Sequence, residues 1–163
     1  MKEELLDKIK KIQEFSEKNK INQVIPNTKY KIQNTKIGII TSGISYLYVM
    51  EALKELTPHH GVGGGLPVLK LGFFYPLPEK KIKTFIKSLK KVLIVEELEP
   101  YLEKEVERLA KKSNCNLKVL GKELLPEVGE LKPEIVTSAI AKITNTKYKI
   151  QTTKYKIPVP KRL

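Results

Sequence analysis

The chain has 163 residues, 40% of them hydrophobic, a single cysteine and a formal net charge of +13. That length accommodates one domain with a real core. One cysteine excludes an internal disulfide and a cysteine-rich metal or cluster site, and no apolar run reaches the roughly 18 residues of a membrane span. The charge is uneven: residues 1–36 carry +4, residues 37–141 carry +2, and residues 142–163 carry +7 with no acid. A basic tail can touch polyanions, but the excess is not laid out as a folded groove, so nucleic acid is not an expected partner. The opening MKEELLDKIKK lacks the apolar stretch of a secretory leader, which makes the cytoplasm the expected compartment.

Residues 1–20 read as an amphipathic helix. Leu5, Ile9 and Ile12 recur at i, i+4 and i+7, flanked by Leu6 and Phe15, and such a stripe needs something to lie on. Residues 1–26 are taken as a docking helix or the end of a preceding domain. Residues 27–36, NTKYKIQNTK, return as a near copy within 145–157. Thr, Tyr and Ile alternate with Lys there, a strand-like period of two, and Tyr30–Gln33 is the expected antiparallel edge strand. Residues 37–143 form the compact part. IGIIT at 37–41 is a buried strand, and residues 44–56 a helix whose first turns are apolar nearly all round, hence expected to be deeply packed. LPVLKL at 66–71, KVLIV at 91–95 and NLKVL at 116–120 are further strands. Between them, helices open at Pro78, Pro100 and Pro133, where a missing N–H costs nothing. Residues 144–163 are a basic tail. Short apolar strands alternating with helices predict an α/β fold of three layers, α/β/α. The sheet is mostly parallel, of about five strands, with one antiparallel edge strand.

GVGGG at 61–65 precedes a strand, whereas a phosphate loop follows a strand and opens a helix, so it reads as a linker. His59 and His60 are adjacent with no further ligand cluster, and read as loop residues. Ser42 and Gly43 end a strand and open a helix, which suits either a turn and cap or an anion on backbone N–H groups. Glu96 and Glu97 leave the central strand in opposite directions. They cannot easily share one site, and one of them suits the N-terminus of a helix. Tyr75 stands in a turn, GFFYPL, of exposed aromatics. Ser42, Gly43, Tyr75, Glu96 and Glu97 are therefore candidate anion or interface positions. No residue qualifies as catalytic, cofactor-binding or metal-ligating. Cys115 reads as an inert, half-buried thiol.

Four strings carry a resemblance in combination: ITSGISY, YPLPE, VEELEP and GELKPEIV. Over about residues 36–143 the chain resembles the transketolase C-terminal-like domain of the alpha subunit of indolepyruvate:ferredoxin oxidoreductase, a 2-oxoacid oxidoreductase. Residues 3–25 are similar to the helix closing the preceding pyrimidine-binding domain. The resemblance implies an enzyme that decarboxylates aryl 2-oxoacids oxidatively to acyl-CoA and reduces ferredoxin. It implies thiamine diphosphate, magnesium and 4Fe-4S clusters for the complete enzyme, none of them bound by this chain. The implied partners are the remaining thiamine-binding and ferredoxin-like domains or subunits, and ferredoxin. The implied role here is structural, and this piece is expected to be inactive by itself. Two readings from other classes stay open: a stand-alone small-ligand or anion-binding α/β module, and a polyanion-binding tail.

Overall fold

The computed structural model describes residues 2–25, 36–56 and 66–146. The elements in order are α1 (Lys2–Lys18), β1 (Asn22–Ile25), β2 (Ile37–Ser42), α2 (Ser45–Leu56), β3 (Val68–Leu71), α3 (Glu79–Ile86), β4 (Lys91–Val95), α4 (Tyr101–Ser113), β5 (Lys118–Leu120) and α5 (Pro133–Thr144). They build one five-stranded sheet of order β1-β3-β2-β4-β5. β2 to β5 run parallel, and β1 pairs antiparallel with β3. The expected α/β/α class is what the structure shows.

Strand side chains alternate between the two faces of the sheet, and the register sorts them into two cores. Ile39 stands opposite Val68 and Leu93. That face packs on Val49 and Leu53 of α2 and Val136 and Ile140 of α5. Ile40, one residue on, stands opposite Leu69 and Ile94. The second face packs on Ile82 and Ile86 of α3 and Leu102 and Val106 of α4. Burying a side chain of this size contributes about 1.5–3 kcal/mol. Coverage on both faces explains why KVLIV reads as an unbroken apolar run.

The prolines act where the sequence places them. The Ile82 N–H donates to the Pro78 carbonyl at 3.0 Å, and the Lys104 N–H to the Pro100 carbonyl at 3.4 Å. Pro133 is the first residue of α5. That helix stops at Asn145, at φ 55°, with the Thr146 N–H returning to the Ala141 carbonyl at 2.9 Å, a left-handed cap.

Four expectations are revised. The antiparallel edge strand is Asn22–Ile25, inside the segment read only as helix and helix end; Tyr30–Gln33 lies outside the described residues. The helix expected over residues 44–56 is not deeply packed all round: Ile44, just before α2, and Leu47 within it are 45% and 56% exposed. It lies in an outer layer, where only one side of a helix meets the sheet and α5. The last strand is shorter, Lys118–Leu120. Cys115 is exposed rather than half-buried, because it sits in the turn before this short edge strand. His59, His60, residues 61–65, and the repeats at 27–35 and 147–157 also fall outside the described residues.

Candidate interaction face at the carboxyl edge

From β2 the chain crosses to β3 on one side, and β4 then lies on the other. The carboxyl ends of β2 and β4 therefore flank the switch point at which open α/β sheets commonly place ligands. The structure brings the loops carrying Ser42, Gly43, Tyr75, Glu96 and Glu97 to this one edge, and gives them different surroundings. Gly43 turns at φ 59°, a left-handed conformation that costs glycine little. Ser42 is half-buried beside it.

Glu96 has the parity of Val92 and Ile94, so its side chain passes to the α3/α4 face and is buried. Its Oε2 accepts the Leu102 N–H at 2.8 Å and its Oε1 accepts the Glu103 N–H at 2.9 Å. It is thus the anion at the N-terminus of α4, where first-turn N–H groups lack helical partners. Burial pushes its carboxyl above the ordinary range, while the two N–H bonds and the nearby Lys122 ammonium pull it back. Lys122 ties the next loop to the same point. Its Nζ donates to the carbonyls of Glu96 (2.8 Å) and Pro126 (3.2 Å), and its backbone N–H donates to Glu103 Oε2 at 2.9 Å. A Cβ at Gly121 would run into the Glu103 carboxylate, so the close approach requires glycine. Glu97 is exposed. The two carboxylates thus differ in surroundings, Glu96 buried and bonded and Glu97 exposed.

The turn after β3 is held by Asn22. Its Oδ1 accepts the Phe73 N–H at 2.9 Å, while its Nδ2 donates to the carbonyls of Phe73 and Ser16 and to Ser16 Oγ. A Cβ at Gly72 would stand 2.7 Å from Ile21 Cγ1. This clamp presents Phe74, whose ring lies 5.9 Å from that of Tyr101, and then Tyr75, 77% exposed. Partial burial, then the charge of Glu105, raises the Tyr101 hydroxyl above its usual range.

The remaining edge is apolar and acidic. Ile44 and Leu47 follow β2. Leu98 follows β4 at φ 54° and is 61% exposed, and Val128 follows β5. Glu97, Glu99, Glu127 and Glu130 are exposed among them. Large apolar side chains gathered on a monomer surface mark a place of contact, and here aromatic and aliphatic groups carry an acidic rim on a chain of net charge +13. Sequence reasoning missed Asn22, Leu98 and Lys122. No short-range pattern marks Asn22 or Lys122; the exposed Leu98 within EELEP was the available hint.

The comparisons with known proteins add identity to this geometry. A family model described as the indolepyruvate oxidoreductase domain matches residues 27–156. The chain belongs to that family. Indolepyruvate oxidoreductase subunit IorA of Methanothermobacter thermautotrophicus is 36% identical over 143 residues, which is 86% of this chain and 22% of the relative. The subunit from Pyrococcus abyssi is 43% identical over 110 residues, 68% of this chain and 16% of the relative. That from Thermococcus kodakarensis is 39% identical over 138 residues, 85% and 20% respectively. The chain thus spans about a fifth of the length of these relatives. Among solved structures, a split gene transketolase, described as an inactive beta4 tetramer, superposes with a TM-score of 0.53 at 18% identity. The match covers 77% of this chain and 42% of the other, and it bears on the fold. The resemblance read from the four strings holds at the level of the family and of the transketolase-like fold.

Thiamine diphosphate does not fit this edge. The α4 N-terminus is filled by the chain's own Glu96 carboxylate, and the exposed glutamates add negative charge where a diphosphate would need cations. Among the described residues no group of three or more His, Cys, Asp or Glu side chains is placed to hold a metal ion, and no helix is long and apolar enough to cross a membrane.

Proposed function

We propose that this chain is the assembly domain of a thiamine-diphosphate- and iron–sulfur-dependent indolepyruvate:ferredoxin oxidoreductase. The complete enzyme decarboxylates aryl 2-oxoacids oxidatively to acyl-CoA and passes the electrons to ferredoxin. This domain carries no step of that chemistry. It props the domains that hold thiamine diphosphate, magnesium and the 4Fe-4S clusters. One observation carries the reading: the carboxyl edge, the usual ligand position of the fold, is given over to exposed apolar side chains with an acidic rim, and its best-placed carboxylate, Glu96, is consumed in capping α4. The family relatives support it, since about four-fifths of their length lies outside the matched segment. The description of the transketolase neighbour as a split-gene product fits a separable domain of this fold.

The test is reconstitution. A relative's IorA lacking the matched segment is co-expressed with this chain and assayed for assembly and for indolepyruvate-dependent ferredoxin reduction. Assembly is expected, and Leu98→Lys with Val128→Lys is expected to abolish it while leaving the domain folded. Equal assembly and turnover without this chain would overturn the proposal. The Glu96 cap also weighs against the small-ligand reading, because the group suited to a ligand is already bonded. Residues 147–163 of the tail invoked for polyanion binding lie outside the described residues.

A further inference from the structure

A groove of about 860 Å³ lies between α1, β1 and α3, within the roughly 300–1,000 Å³ of small-molecule sites. α1 supplies Lys10, Gln13, Glu14, Glu17 and Lys18, at i, i+3, i+4, i+7 and i+8, which is one face of a helix. Lys80, Lys81, Lys83 and Thr84 of α3 line it as well. Val24 of β1, 44% exposed, and the half-buried Phe85 give it an apolar wall. Bonds between the elements hold this shape. Glu17 accepts the N–H groups of Lys80 and Lys81 at 2.8 and 3.0 Å, joining α1 to the start of α3. Beside it Ser16, fully buried, donates to the Phe73 carbonyl at 3.2 Å.

The charges say what fits there. Five lysines and three acids line the groove, and every acid is already bonded. Glu17 is taken up at the N-terminus of α3. Glu79 accepts from Lys83 at 3.0 Å and from Arg108 at 2.7 Å. Glu14 meets Lys18 at 3.4 Å. Among the lysines, Lys81 Nζ donates to the carbonyls of Asn19 and Asn22. That leaves Lys10 and Lys80, whose ammonium groups pair with no carboxylate among the described residues. Lys80 adjoins Glu17, and Lys10 lies about 10 Å back along α1 from it. Two unbalanced cations beside an apolar wall suit an anion with an apolar body. A long polyanion suits the groove less well, because Glu3, Glu4 and Asp7 occupy the opening turns of the same helix.

We propose that the groove between α1 and α3 binds a small organic anion with a flat apolar body. The anionic group sits between Lys10 and Lys80, and the body lies on Val24 and Phe85, where a ring can pack against a ring. This goes beyond the assembly role argued above, because it uses a different face and needs no other polypeptide. Both cations are exposed, so each contributes modestly to affinity, and binding weakens as salt screens them.

The experiment is an NMR titration of the full chain with three probes of one shape and different charge: naphthalene-2-carboxylate, its neutral carboxamide, and 2-(aminomethyl)naphthalene as the cation. The carboxylate should give saturable amide shifts at Gln13, Val24, Thr84 and Phe85. The carboxamide should bind about fivefold or more weakly, and the cation more weakly still. Lys10→Glu with Lys80→Glu, both at exposed positions, should weaken the carboxylate about tenfold and leave the helical circular dichroism unchanged. Thr84→Trp fills the groove without changing its charge and should block binding. No saturable shift with the carboxylate, equal binding of carboxylate and carboxamide, or shifts centred on Leu98 and Val128 instead of the groove would each overturn the proposal. So would a carboxylate affinity indifferent to the charge reversals or to Thr84→Trp, or a polyglutamate peptide that takes the groove more tightly than the carboxylate.

Discussion

Glu96 offers the sharpest test of the architecture around β4. Replacing it with alanine removes the acceptor of two N–H groups, those of Leu102 and Glu103. The Leu102 backbone stands at a buried position, where a donor left without a partner costs about 1–3 kcal/mol. The second donor and the lost charge at the helix N-terminus add about 1 kcal/mol, so Glu96→Ala should cost about 2–4 kcal/mol, a large part of a domain's stability. Glu96→Gln keeps one acceptor oxygen but turns an amide NH2 toward the other donor, and should cost about 1–2 kcal/mol. The pH dependence has a definite sign. Burial raises the folded-state carboxyl above 4.5, so between that value and its raised pKa the folded chain binds more protons than the unfolded one. Linkage then makes the Glu96 contribution grow as pH falls through that window and shrink as pH rises. Urea denaturation of the wild type and Glu96→Gln at neutral and acid pH measures both effects: the wild type's advantage should be larger on the acid side. A Glu96→Ala cost within the roughly 0.5 kcal/mol of a surface change, or an advantage that shrinks on acidification, would refute the reasoning.

Three further outcomes follow from the same contacts. Asn22→Ala should cost about 1–3 kcal/mol and speed amide exchange at Phe73, because it strips the acceptor from the half-buried Phe73 N–H and leaves the Phe73 carbonyl to Ser16 Oγ; hydrogen exchange by NMR reads it. The Thr41 hydroxyl is fully buried and without a hydrogen-bond partner among the described residues, so Thr41→Val should leave stability unchanged or raise it by about 1 kcal/mol, measured by chemical denaturation. Leu93, fully buried at the centre of the sheet, should lose about 2–5 kcal/mol on truncation to alanine, visible as a lowered urea midpoint with an unchanged slope.

The sequence by itself determined the class of fold. Short β-branched runs such as KVLIV suit a strand covered on both faces, and Pro78, Pro100 and Pro133 suit the starts of helices, so the alternation was readable from local chemistry. It also marked Glu96 or Glu97 as suited to a helix N-terminus, and Glu96 is the one that caps α4. Tertiary structure decided the rest. Asn22 reaches Phe73 across 51 positions, and Lys122 reaches the Glu96 carbonyl across 26. No periodicity within either segment announces such a meeting. NQVI is too polar to read as a strand until its buried Asn has a turn to hold. Ile44 and Leu47 looked like core residues by composition, and only the position of α2 in an outer layer left them on the surface. Propensity and periodicity act over a few residues. Which apolar face is covered, and which polar group is already bonded, depends on strand order, and that is set by contacts between segments far apart in the chain.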